Sequence, residues 1–295
     1  MKASLSAFPA SSRRSFCRFV WALTVVPLLL AAAFSQNPAS RSSLSLSEKE
    51  AFLRDAKVIQ CHSAKKGITG SVRATLSDGK STNDASIQRI DFYRSVYDTP
   101  EGVQLGFRDS YKFNIAAYRL AVLLDIDNVP PSVERSFDGN KGAYTWWIEN
   151  VQMDEGERLK RKISPPDPLY WNEQMYVVRV FDQLIDNIDR NMGNLLITKD
   201  WRIWMIDHTR AFRPTNQLRK VTDLRKCDRH LLERLRALTV EQVNTQLGNY
   251  LTKTEINSLL TRRDLLVRHF EALGEAGLYD LRRDVTALPA QVAAH

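Results

Sequence analysis

The 295 residues are 43% hydrophobic and 26% charged, enough apolar side chain for a real core and a composition that excludes a chain disordered throughout. The formal charge of +8 gathers at the start: Lys2, Arg13, Arg14 and Arg18 lie within the first 35 residues with no acid, and without them 38 basic residues face 34 acidic ones, a remainder of +4. That balance makes no case for a polyanion, so no specific nucleic-acid partner is expected.

Residues 19–34, FVWALTVVPLLLAAAF, form an apolar run behind this basic segment and lead into AFSQ. The pattern predicts a signal peptide over 1–35, cleaved after Ser35, and a periplasmic or extracellular protein; an uncleaved membrane anchor is the alternative. SRRSFCR (12–18) resembles the twin-arginine export signal. A Ser-rich flexible leader is expected over 36–49. Of the three cysteines, Cys61 and Cys227 lie beyond the signal; they allow one disulfide or two unpaired thiols and are too few for a cysteine zinc site.

Short strands are expected at 58–60, 71–76 and 85–92, separated by the turn signals KKGITG and SDGK. Phe113, Ala116, Ala117, Leu120 and Leu124 recur at helical spacing, with Asp109 or Ser110 able to cap the helix and the prolines of NVPPSVER ending it. AYTWWIE (143–149) reads as a buried strand, and 151–167 as a polar connection whose charge run DEGERLKRK is a solvated face. Asp167 and Pro168 start the next helix, with Met175, Val178, Phe181 and Ile185 on its apolar stripe. A hairpin follows, LLIT and WRIWMI turning at Lys199 and Asp200. Thr239 with Gln242 and Thr252 with Glu255 fit capping boxes for helices of the tail. Trp146, Trp147, Trp201 and Trp204 read mostly as core.

The hairpin would carry Asp189 and Asn194 at its entrance and Asp207 at its exit. Two carboxylates and an amide at one mouth suit a hard divalent cation, because Mg²⁺ takes oxygen ligands and completes its shell with phosphates. A phosphate-bearing substrate follows as the expectation. His208 reads as an exposed neighbour or a hydrogen-bond partner, since no second His lies at metal-ligand spacing, and Arg190 and Arg210 read as partners of nearby acids, with phosphate contact the alternative.

NIDRNMGN (187–194) and MIDHTRAF (205–212) resemble the catalytic and metal-binding segments of the atypical kinases grouped around phosphatidylinositol 3- and 4-kinases, HipA toxins and secretory-pathway protein kinases. KGITGSVRATLSDG (66–79) resembles their phosphate-covering hairpin, and residues 111–135 their regulatory helix and following strand. The resemblance implies an α+β, two-lobed protein-kinase-like fold, with a small β-rich N-lobe over 50–150, a mainly helical C-lobe over 151–285 and a tail over 286–295. It also implies Mg²⁺ and ATP as cofactors, and an acceptor that is a protein, a lipid or a small molecule.

Carried over by position, Asp189 is the catalytic acid or base, Asn194 and Asp207 are the metal ligands, and Gly67 and Gly70 lie in the phosphate-covering turn. Trp147 to Val151 falls where the adenine-binding hinge passes. Two departures stand out: the phosphate-gripping Lys is replaced by Gln88 and its Glu partner by Asn114. Both charges are lost together, so neither is stranded. A non-catalytic pseudokinase is therefore the alternative to an active enzyme.

Overall fold

The computed structural model describes residues 44–63, 71–99, 102–137 and 139–283. The expected signal peptide, Gly67, Gly70 and the tail over 286–295 lie outside the described residues.

Helix α1 (Leu46–Asp55) begins inside the stretch expected to be leader. Ser45 and Glu48 form a capping box that satisfies the free amides of its first turn, a signal the Ser-rich composition obscured. A five-stranded antiparallel sheet follows, in the order β1 (Lys57–Ser63), β2 (Val72–Ser77), β3 (Thr82–Gln88), β7 (Asn140–Trp146), β6 (Ser132–Phe137). Register separates its two faces. Ala74 opposite Ala85 and Val72 opposite Ile87 turn toward α1, where Phe52 and Leu53 close an apolar core with Tyr144 and Trp146. Arg73 opposite Ser86, Ser86 opposite Thr145 and Thr145 opposite Ser132 lie on the other face, which Gln88 shares.

The expected strand at 85–92 breaks after Gln88, and a separate two-stranded hairpin forms, β4 (Asp91–Thr99) with β5 (Gly102–Ser110). Tyr97 stacks on Phe107 at 4.2 Å, and Arg108 donates to both oxygens of Glu255 at 2.7 and 2.9 Å, tying the hairpin to the large lobe.

Helix α2 (Lys112–Leu123) has no side-chain cap of the expected kind: Ser110 accepts only a 3.3 Å contact from the Lys112 amide, and Asp109 is engaged elsewhere. Its buried face, Phe113 to Leu120, joins the large apolar core with α4 (Pro168–Ile185) and α7 (Lys253–Leu273). Asp167 caps α4 by accepting from the Tyr170 amide at 2.9 Å.

The stretch expected as a polar connection contains β8 (Val151–Asp154) and α3 (Glu155–Lys160). β8 pairs with β9 (Leu195–Thr198), which pairs with β10 (Ile203–Met205) as the expected hairpin. The charge run is not wholly solvated, since Glu155 is buried against Arg158. Helices α5 (Arg229–Ala237), α6 (Val240–Leu247) and α7 complete the large lobe, and both tail capping boxes are formed.

Of the four tryptophans read as core Trp146 is buried and the others keep partial exposure: Trp147 lines the cleft, Trp201 packs against the large core from its edge, and Trp204 lies on β10 beneath Arg202. Cys227 is buried while Cys61 is exposed on β1, and no disulfide joins them. Among the described residues no helix is long and apolar enough to cross a membrane.

Candidate functional site

Helix α4 ends at Ile185, and Asp186, in the left-handed region at φ 47°, turns the chain away. Its carboxylate is 2% exposed and accepts from the Thr215 hydroxyl at 2.5 Å and from Arg219. Arg262 of α7, fully buried, donates to the carbonyls of Leu184, Arg213 and Thr215, so a guanidinium covers the carbonyl end of α4. Burial draws its pKa down to about 10, with Asp186 opposing. The loop that starts here is thereby fixed at its root.

The loop then folds on itself. The Asn191 amide and the Asn194 side-chain amide donate to the Asp189 carbonyl at 2.8 and 3.2 Å. Arg190 forms an ion pair with Asp182 at 2.9 Å and donates to the carbonyls of Asn194 at 3.0 Å and Ile206 at 2.7 Å. One side chain therefore straps the loop bearing Asp189 and Asn194 to the end of β10. The Ile206 amide donates to the Asn194 carbonyl at 3.1 Å and closes the same junction.

Asp207 follows at φ 55°, a conformation Asp tolerates better than most residues. Its Oδ1 accepts from Gln88 Nε2 at 3.3 Å and from the Thr209 hydroxyl at 3.2 Å, and among the described residues no lysine or arginine forms an ion pair with it. Gln88 Oε1 in turn accepts from Asn114 Nδ2, and Asn114 Oδ1 accepts from the His208 amide at 2.7 Å. Gln88 and Asn114 are thus two buried amides bonded to each other, linking β3 and α2 to the consecutive residues Asp207 and His208. Every contact in this relay is satisfied without a cation.

Gln88, Asn114, Asn194 and Asp207 line one cavity of about 530 Å³ between the sheet and the β9–β10 hairpin, a size that holds a small-molecule ligand. Trp147 and Arg73 stand at its hinge end, the guanidinium 4.4 Å from the ring and paired with Asp84. Asp154 also lines it while capping α3.

The donor set fits a hard divalent cation. Asn194 spends its amide nitrogen on the Asp189 carbonyl, leaving Oδ1 for the cavity, and Asp207 presents a carboxylate whose contacts are neutral. Among the described residues no three His, Cys, Asp or Glu side chains cluster, so substrate phosphates and water would complete the shell.

Asp189 lies outside this cavity, beside a smaller recess lined by Phe107, Ile188, Arg210 and Arg213. Its side chain is 40% exposed, and Arg210 Nη1 is 3.6 Å from Oδ2. Burial raises its pKa, the Arg210 guanidinium opposes this, and the neighbouring Asp207 and Asp109 add to the rise.

Of the two expectations for His208, exposure fails, since it is 2% exposed with Phe181 edge-on at 6.0 Å, while its backbone amide does enter a hydrogen bond, to Asn114. Burial, with Arg190 nearby, holds its pKa well below the usual imidazole range, so it is neutral. Lys112, a lysine that could stand in for the missing one, is paired with Asp91 at 2.9 Å; Lys65 and Lys66 lie outside the described residues. Sequence reasoning gave no special place to Arg73 or Asp154, because an isolated charge on an alternating strand carries no signal of the face it occupies.

No family model and no curated protein sequence matches the chain. Its fold does match solved structures. The hydra Fam20 structure with sugar superposes at a TM-score of 0.60 and 16% identity, over 80% of this chain and 92% of that one. The Golgi casein kinase with Mn/ADP bound gives 0.58 at 13% identity, over 81% and 80%, and a second structure of the Golgi casein kinase gives 0.56 at 14%, over 80% and 77%. Among the groups its motifs resemble, these structures represent the secretory-pathway kinases. With a small antiparallel sheet lobe and a mainly helical lobe meeting at the cavity, the chain has the two-lobed protein-kinase-like fold.

Proposed function

We propose that the cavity binds a nucleoside triphosphate with a divalent cation and that the protein transfers the terminal phosphoryl group to a hydroxyl acceptor. The observation that carries this is the Arg190 strap, which holds the loop bearing Asp189 and Asn194 against the strand end that leads into Asp207. Asp189 accepts the proton of the acceptor hydroxyl as that oxygen bonds to the terminal phosphorus, the bridging P–O bond breaks, and the nucleoside diphosphate departs with the electron pair. Mg²⁺, when bound by Asn194 and Asp207, would neutralise phosphate charge. Binding of Mn/ADP by a structural neighbour supports the ligand class.

Gly67 and Gly70 cover the phosphates in this reading, and Trp147 to Val151 pass the base. Residues 1–35 direct export. The acceptor is a protein, a lipid or a small molecule.

The neutral Gln88–Asn114 pair favours a second reading, a pseudokinase that holds nucleotide or a partner protein without turnover. Incubating the purified protein with Mg²⁺ and labelled ATP, followed by mass spectrometry, separates the two. Label on the protein or a supplied acceptor is expected; retained nucleotide without transfer would favour the pseudokinase, and the absence of both transfer and retention would end the kinase reading and leave only a pseudokinase that holds a partner protein.

The relay also sets the result of restoring charge. Gln88→Lys alone places an ammonium against Asp207, where it competes with the divalent cation. Mg²⁺–ATP affinity is expected to fall about tenfold, the scale of one charge-assisted contact. Adding Asn114→Glu draws the ammonium toward α2 and should bring affinity back to within a few-fold of wild type. Titration calorimetry on both variants decides; a double variant weaker than the single would contradict the placement of α2 against β3.

A further inference from the structure

The amide relay leaves the cavity without the cation that phosphoryl transfer ordinarily uses, and the candidates around it are mostly committed. Lys112 is paired with Asp91, and Arg73 is held at the hinge end by Asp84 and Trp147. Arg190 spends its donors on Asp182 and two carbonyls of the loop junction. Arg213 lies beyond Phe212 in the field of Arg219 and Asp186.

Arg210 is different. Nε donates to Asp109 Oδ2 at 3.0 Å, the guanidinium sits 5.5 Å over the ring of Phe107, and Nη1 reaches only to 3.6 Å from Asp189. That last distance makes an ion pair but is too long for a hydrogen bond, so one edge of the fork is anchored by Asp109 while the other is held toward the Asp189 carboxylate by charge alone. The group is also close enough to Asp207 to feel its charge. Asp109, the anchor, stands at the foot of the β4–β5 hairpin, 3% exposed, with Oδ1 buried and without a partner.

We infer that Arg210 is the cation of the transfer site: the edge it turns toward Asp189 bonds the terminal phosphoryl group as that group passes toward the acceptor, replacing the charge lost at Gln88. This rests on the proposed reading of the cavity. A planar guanidinium suits the task, since it offers two parallel donors to phosphate oxygens and stays charged. It also gives the unexpected hairpin a role, since the hairpin delivers the carboxylate that aims the guanidinium.

The test compares Mg²⁺–ATP with Mg²⁺–ADP by titration calorimetry on the full chain, because only the triphosphate carries the group that Arg210 would touch. Arg210→Gln should weaken ATP about tenfold or more and ADP less than twofold. Since that change strands the buried Asp109, the double variant Asp109→Asn/Arg210→Gln removes both charges and should show the same selective loss with a melting temperature near wild type. A folded variant that keeps the wild-type ATP-to-ADP affinity ratio, or loses both nucleotides equally, would overturn the inference while leaving the cavity's reading intact. Failure of the unaltered protein to bind either nucleotide would overturn that reading and the inference with it.

Discussion

Asp189→Asn should cut phosphoryl transfer by roughly a hundredfold or more, the usual scale of losing general acid–base help, while Mg²⁺–nucleotide affinity stays within a few-fold. The loop is held through backbone groups that Asn keeps: the Asp189 carbonyl accepts from Asn191 and Asn194, and its amide donates to Asn187 at 3.2 Å. What changes is the proton acceptor and its facing charge, Arg210. Burial and the neighbouring acids raise the Asp189 pKa, which favours a carboxylate that takes up a proton during transfer. Steady-state rates for both proteins, with equilibrium titrations alongside, check the split. Equal rates would remove Asp189 from the mechanism, and equal losses in rate and affinity would make it a binding residue instead.

Much of the scaffold was legible because its signals are local. The Asp167–Pro168 start of α4, the LLIT and WRIWMI strands and both tail capping boxes are written in adjacent residues, and the structure forms each of them. The β4–β5 hairpin was not legible: exposed Tyr93 and Val96 fall on opposite faces of β4, Val103 is exposed on β5, and the ribbon pairs with no other strand, so no buried face imprints a clear period. Strand β8 was hidden for a related reason, being four residues long and followed at once by a charged helix.

The site divides in the same way. Asp189, Asn194 and Asp207 stood out through spacing and the hairpin between them; the structure brings Asn194 and Asp207 to one cavity and leaves Asp189 outside it, because the loop folds on its own carbonyl. That Gln88 and Asn114 bond to each other and to residues 207 and 208 joins positions as much as 119 apart, and no local pattern encodes such a contact. For His208 the lack of a second His at metal-ligand spacing left exposure or hydrogen bonding open, and packing of the strand end against α4 buries it while its amide bonds to Asn114. Arg190 and Arg210 were correctly read as partners of acids, but only the fold shows that one is saturated and the other is not.

The central claim is that Asp207 and Asn194 hold a divalent cation against nucleotide phosphate. Its most direct test is the melting temperature of wild type and Asp207→Ala, with ATP in excess, in Mg²⁺ and then in chelator. A ligand at a hundred times its dissociation constant stabilises the native state by about 2.7 kcal/mol, a rise of roughly 5 °C for a protein of this size. Alanine opens no core cavity here, though the left-handed backbone at residue 207 costs it about 1 kcal/mol, so the shifts are compared and not the absolute temperatures. The account predicts a rise in wild type that needs Mg²⁺ and no rise in Asp207→Ala; an equal rise in both proteins, or a wild-type rise that survives chelation, would contradict it.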